Sequence, residues 1–158
     1  MKTATLKTLK QSDNVSLYSI CFNGSDISEY EAFILRFKND AHLNEDYKKI
    51  ILAIDKIVAV GVFERFFRPE GKMNDRVAAL SIDSRKLRLY CLRISDQILI
   101  VGNGGIKSTR TYEESEELSG YVMDLQAFDK LLIEAQKTKT ITIERNVITG
   151  IEGKVFEL

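Results

Sequence analysis

The sequence predicts a single α+β domain: an N-terminal strand and a helical pair packed on an antiparallel sheet, followed by a C-terminal helix and hairpin. Three observations carry this prediction. Segments of period-2 or continuous β-branched character alternate in blocks, not singly, with segments of helical period. The apolar fraction is 44% and the charged fraction 29% over 158 residues, enough to bury a core without staples. The stretch from Arg85 to Tyr112, RKLRLYCLRISDQILIVGNGGIKSTRTY, reads as two strands joined at the polar turn Ser95-Asp96.

That hairpin organises the rest. Lys86 to Ile94 forms the first predicted strand, with Leu87, Leu89 and Cys91 on one side and Arg88, Tyr90 and Leu92 on the other. Arg88 and Tyr90 therefore share a face that is not purely hydrophobic. The second strand, Gln97 to Val101, holds Ile98, Leu99, Ile100 and Val101 in succession, the mark of a central strand buried on both faces. Gly102-Asn103-Gly104-Gly105 is expected to break it, and Lys107, Arg110 and Tyr112 follow as a basic tail bearing a tyrosine.

Upstream, residues 1–14 read as a mobile arm and Val15 to Phe22 as the first strand, closed by Asn23-Gly24-Ser25-Asp26. Ser28 and Glu31 fit a capping box at the head of EYEAFILRFKND, whose Tyr30, Phe33, Ile34 and Phe37 recur at helical spacing. A second helix starts near Asn44 or Glu45, with an apolar stripe through Tyr47, Ile50, Ile51, Ile54, Ile57, Val58 and Val62. It is expected to run to about Phe67, since a residue before Pro69 avoids the helical region. A basic loop and a short strand near Val77 to Ile82 lead into the hairpin. Beyond it, Glu116 to Gln136 is helical, with Tyr121, Val122, Leu125, Phe128, Leu131 and Leu132 on one side, and Thr138 to Ile143 and Val147 to Phe156 read as a terminal hairpin.

Composition excludes more than it selects. No apolar run approaches a membrane span, and the polar N-terminus lacks a secretory leader, so a cytoplasmic location is expected. Cys21 and Cys91 sit in apolar surroundings and read as buried thiols. His42 is the only histidine, which leaves histidine triads and histidine-rich metal sites unsupported, and no Walker motif occurs. No cofactor or metal is expected. Net charge is zero but unevenly spread: Glu64 to Tyr112 carries ten Lys or Arg against five acids, whereas Glu113 to Ala135 carries seven acids against Lys130 alone.

What remains is basic and phenolic: Arg88, Lys107, Arg110 and Tyr112, with Arg65, Arg68, Lys72, Arg76 and Tyr90 nearby in sequence. Arginine grips phosphate bidentately and tyrosine stacks on bases or carries protons. Such a set can cleave RNA without a metal if the cations offset charge developing on the phosphoryl group and the 2′-hydroxyl is the nucleophile. The alternative reading is that these residues solvate a sheet edge and pair with the acidic helix.

The run KLRLYCLRISDQILIVGNGGIKSTRTY resembles the C-terminal half of RelE/ParE-superfamily toxins of bacterial toxin–antitoxin pairs, where a strand of the form Arg-hydrophobic-hydrophobic-Tyr precedes a polar turn, a very apolar strand and a short basic segment ending in an aromatic residue. The resemblance covers residues 15–112, with 113–158 as a C-terminal extension of the same domain. It implies a RelE-like fold and a toxin that cuts messenger RNA, free or on the ribosome, with an antitoxin protein as partner; a topoisomerase inhibitor of the ParE type and a non-catalytic interaction module are the alternatives. It further implies that Arg88 contacts the scissile phosphate, that Lys107 and Arg110 supply a second cation to the leaving group, and that Tyr112 acts as base or stacks on the nucleotide. Arg65, Arg68, Lys72, Arg76 and Tyr90 are the accompanying candidates for nucleic-acid binding. The acidic helix after Tyr112 is a candidate cover for the basic face.

Overall fold

The structure is a computed structural model that describes residues 2–69, 76–83, 86–107 and 115–158. It is a mixed α+β fold in which one large, mostly antiparallel sheet lies between helices. The strands are β1 (Thr3–Gln11), β2 (Ser16–Phe22), β3 (Phe67–Pro69), β4 (Val77–Leu80), β5 (Leu87–Ser95), β6 (Ile98–Ile106), β7 (Thr142–Glu144), β8 (Val147–Thr149) and β9 (Phe156–Glu157); the helices are α1 (Glu29–Phe37), α2 (Asn44–Val60) and α3 (Glu116–Lys137). Seven strands form the sheet in the order β3-β4-β5-β6-β2-β1-β9, and β7-β8 make a separate hairpin. Every pairing is antiparallel except that of β2 with β6.

Side-chain alternation divides the sheet into two cores. Leu17, Leu89, Cys91, Leu99 and Val101 face α1 and α2, where Phe33, Phe37, Ile50, Ile54 and Ile57 meet them. Tyr18, Ile20, Tyr90, Leu92, Ile98 and Ile100 face α3 and its Leu118, Val122, Leu125, Phe128 and Leu132. Ile98 to Val101 are each 0% exposed, as the uninterrupted apolar run predicted for a central strand. Each fully buried aliphatic or aromatic side chain of this kind contributes about 1.5–3 kcal/mol. Ser19 joins the layers: its buried hydroxyl donates to Val101 O at 2.6 Å and accepts from Tyr30 N at 3.1 Å, which ties β2, β6 and the head of α1 together.

Local chemistry explains most boundaries. Ser28 and Glu31 form the expected capping box, with Ser28 Oγ accepting from Glu31 N at 3.2 Å and Glu31 Oε1 accepting from Ser28 N at 3.0 Å. Four expectations are corrected. Residues 3–11 are strand β1, not an arm, because Ala4 and Leu6 are buried on the α3 face while β1 completes the ladder of β2. Helix α2 stops at Val60, well before Phe67, since Gly61 takes φ 135° and Val62 N instead donates to Asp96 O at 2.7 Å. The glycine run does not end β6, which continues to Ile106 opposite Leu87. Here the glycines permit close approach: a Cβ on Gly104 would lie 1.8 Å from Arg88 O, and one on Gly102 would lie 3.0 Å from Leu125. Tyr90 is not presented on an open face but buried under α3, while Arg88 on the same side is half-buried.

The terminal elements return to the sheet. Hairpin β7-β8 turns through Arg145, at φ 54°, and Asn146, which donates to Ser12 O at 3.0 Å. β9 then pairs with the start of β1, Ala4 opposite Phe156. No helix among the described residues is long and apolar enough to cross a membrane.

Candidate nucleic-acid interface

Helices cover both sheet faces, so polar chemistry is confined to the ends of the strands and the sheet edges. At one end, β5 and β6 begin and finish together. Leu87 faces Ile106, Arg88 faces Gly105, and Lys107 N donates to Lys86 O. This register sets Lys86 opposite Lys107 with Arg88 two rungs further along β5, Lys86 exposed and the other two half-buried. The start of α2 fixes the same end: Asp46 accepts from Lys86 N at 2.8 Å and Leu87 N at 3.2 Å, and Lys49 donates to Asp83 O at 2.7 Å. Arg110 and Tyr112, which follow Lys107 in sequence, lie outside the described residues, as does Lys72.

The other candidates separate from this group. Arg76 lies beside Arg93, whose N donates to Arg76 O at 3.0 Å, five residues along β5 from Arg88 and so roughly 17 Å away along the strand. Its guanidinium meets Asp129 of α3, with Nε 3.1 and 3.2 Å from the two carboxylate oxygens. Tyr90 is 0% exposed in the α3 core, so its ring is not presented for stacking in this arrangement. The acidic helix thus covers part of the basic face, as the charge distribution allowed, and among the described residues it forms the ion pairs Arg36–Glu117, Lys2–Asp124 and Arg76–Asp129.

Arg65 and Arg68 return to the Arg88 end by a route the sequence did not suggest. A 3₁₀ turn at Glu64–Phe66 precedes β3, and Ser81 N donates to Phe66 O at 2.8 Å. The β4–β5 pairing runs from Val77 opposite Leu92 to Ala79 opposite Tyr90, and β3 lies on the far side of β4 with Phe67 opposite Leu80. β3 thus lies two strands from β5, and Phe66 packs with the core on the α1 and α2 side. The Arg65 guanidinium lies 4.8 Å from the centroids of both Phe63 and Phe66, and Lys56 Nζ lies 5.6 Å from that of Phe66. The helical reading of FERFFR hides Phe63 and Phe66, for which the alternation of aromatic and basic residues is the available signal, and Lys56 carries no signal beyond its place in α2.

A second polar group also went unread. Because β2 pairs with β6 only through Ile98–Val101, the continuation of β6 is open on that side and α1 packs beside it. Asn103 Nδ2 donates to Glu29 Oε1 at 3.4 Å within a small cleft lined by Ile20, Phe22, Tyr121, Asp124 and Leu125. Burial pushes the Glu29 carboxyl above its ordinary pKa, against the Asn103 hydrogen bond and the Lys2 charge. Glu117 accepts from Tyr121 Oη at 3.1 Å and pairs with Arg36, and burial together with the Glu117 charge raises the Tyr121 phenol. These groups lie in hydrogen-bonded pairs over α1, β6 and α3 and form an internal seam between the two helical layers. Among the described residues no three His, Cys, Asp or Glu side chains converge in a way that would hold a metal ion.

No family model, curated protein or solved structure matches the chain.

Proposed function

We propose that this chain is a toxin-like, metal-independent RNA endonuclease of the kind its hairpin resembles, neutralised in the cell by an antitoxin protein. The observation that carries this reading is the grouping of three cations where β5 and β6 meet, Lys86 opposite Lys107 and Arg88 two rungs further along. The element order from β2 onward gives further support: a strand and a helical pair precede the antiparallel strands that carry Arg88, as the resemblance implies, although β1 adds a strand before them.

In the reaction proposed, a 2′-hydroxyl attacks the adjacent phosphorus. The bond to the 5′-oxygen breaks, leaving a 2′,3′-cyclic phosphate and a 5′-hydroxyl. One proton leaves the 2′-oxygen and one reaches the departing 5′-oxygen, so no metal or redox partner enters the balance. Arg88 offsets charge on the equatorial phosphoryl oxygens, where a planar guanidinium offers two donors at once. Lys107 and Arg110 serve the leaving oxygen, and Tyr112 accepts the 2′ proton or stacks on the base. The antitoxin would act by covering this cationic end.

One observation favours a second reading, a non-catalytic interaction module: α3 occupies the face of Tyr90 and holds Arg76 through Asp129. Expressing the full chain and its Arg88→Ala form in bacteria, with growth and RNA integrity as readouts, separates the readings. Growth arrest with RNA cleavage, both lost in Arg88→Ala, supports the endonuclease. Arrest with DNA damage and intact RNA points to topoisomerase inhibition, and no effect from a folded, soluble chain leaves the interaction module. The full chain is the proper reagent because α3 supplies Leu118, Val122, Leu125, Phe128 and Leu132 to the core.

A further inference from the structure

Resting on the endonuclease reading but concerning different residues, we propose that Phe63, Arg65 and Phe66, with Lys56 and Arg68, form a stacking platform for the bases of single-stranded RNA beside the Arg88 end of the sheet. The platform lies outside the group of Lys86, Arg88 and Lys107 and is built by another part of the chain. Its parts are already in contact. The Arg65 guanidinium is held 4.8 Å from two phenyl centroids at once, while the residue itself is exposed. A guanidinium resting against aromatic rings offers its free side to a base and its N–H edge to a phosphate.

Local charge suits a polyanion. Lys56 sits against Phe66, and Arg68 is exposed on the outermost strand β3. The intervening acid, Glu64, faces Arg93 Nη1 at 3.8 Å. The backbone is fixed as well. Gly61 packs under the Phe63 ring so closely that a Cβ there would lie 2.6 Å from it, and Phe66 O is tied to Ser81 N. A duplex hides its base faces in its own stack, so this chemistry selects a single strand. Phe66 packs with the α2-side core, whereas Arg88 alternates with Leu87 and Leu89 onto the opposite face, so the platform is separate from the phosphate that Arg88 would engage.

The test uses the full chain and a fluorescein-labelled single-stranded 2′-O-methyl oligoribonucleotide, whose blocked 2′-oxygen prevents cleavage, with binding read by anisotropy. Arg65→Glu is expected to weaken binding tenfold or more, in keeping with the worth of one stacked base. Arg65→Lys, which keeps the charge and loses the plane, is expected to weaken it about threefold. Phe63→Ala should weaken it comparably to Arg65→Glu, and a duplex of the same sequence should bind at least tenfold more weakly than the single strand. Since Arg65 is exposed, both its variants should retain the wild-type circular dichroism spectrum. Equal affinity of wild type and Arg65→Glu, equal affinity for single strand and duplex, or no binding at all would overturn the platform. Its failure is distinguishable from that of the endonuclease. Arg88-dependent RNA cleavage with Arg65-independent binding removes the platform alone, and Arg65-dependent binding without cleavage removes the endonuclease alone.

Discussion

Replacing Gly104 by alanine tests the hairpin at its tightest point. The added Cβ would lie 1.8 Å from Arg88 O and 2.9 Å from Leu89 Cα, both backbone atoms of the neighbouring strand that cannot rotate away. Relief requires the two strands to part by more than an ångström at the rung beside Arg88 and Gly105. Separation on that scale forfeits one or two ladder hydrogen bonds, at about 0.5–1.5 kcal/mol each, in addition to an overpacking cost of about 1–3 kcal/mol. The expected loss is about 3 kcal/mol. For a chain of this length that corresponds to a fall in Tm of roughly 6–12 °C by circular dichroism. Amide exchange should also quicken at residues 87–89 and 104–106, away from the turn at Ser95-Asp96. Gly120→Ala is the control: it lies inside α3, a Cβ there meets nothing within 4 Å, and helix propensity alone should raise stability by up to about 1 kcal/mol. A Gly104→Ala protein with unchanged Tm would refute the continuation of β6 through the glycine run.

Three further outcomes follow from burial and charge. Asp129→Ala should lower stability by about 2 kcal/mol in denaturant titrations, because Arg76 would remain partly buried against α3 without its carboxylate; no change in midpoint would contradict the pairing. The raised Glu29 pKa means that the folded chain holds this proton more tightly than the unfolded one. Its destabilising contribution is absent below the ordinary carboxylate pKa and grows as pH rises through the raised value, so Glu29→Gln should match wild type in acid and exceed it at neutral pH. A variant less stable at neutral pH would reverse the sign. Cys91 is 0% exposed and burial pushes its thiol up, while Cys21 is 4% exposed and shifted the same way for the same reason. Both should resist thiol reagents in the native protein and react once it is unfolded, and rapid native labelling of either would contradict the core.

Patterns of two and 3.6 residues were legible wherever burial enforced them. The capping box at Ser28, the stripe of α3 and the double-sided burial of Ile98 to Val101 were therefore readable from residue order alone. β1 was not, because polar residues interleave with its Ala4 and Leu6, and its role comes from pairing with β2, a non-local fact. The end of α2 was misplaced because Pro69 carried more weight than Gly61, whose positive φ is the actual stop. Glycines 102–105 read as a break because their function, admitting a neighbouring strand and α3 at close range, is invisible without the partners. The site shows the same division. Arg88 was placed correctly on its strand, but the separation of Arg76 and the burial of Tyr90 depend on how α3 folds back across the sheet.

The measurement bearing most directly on the central claim is the chemistry of RNA ends in bacteria expressing the full chain or its Arg88→Ala form. New fragments are expected that end in a 2′,3′-cyclic phosphate on one side and a 5′-hydroxyl on the other, with Arg88→Ala folded and yielding none. Intact RNA in cells holding soluble, folded wild-type chain, or fragments bearing 5′-phosphates and 3′-hydroxyls, would contradict it.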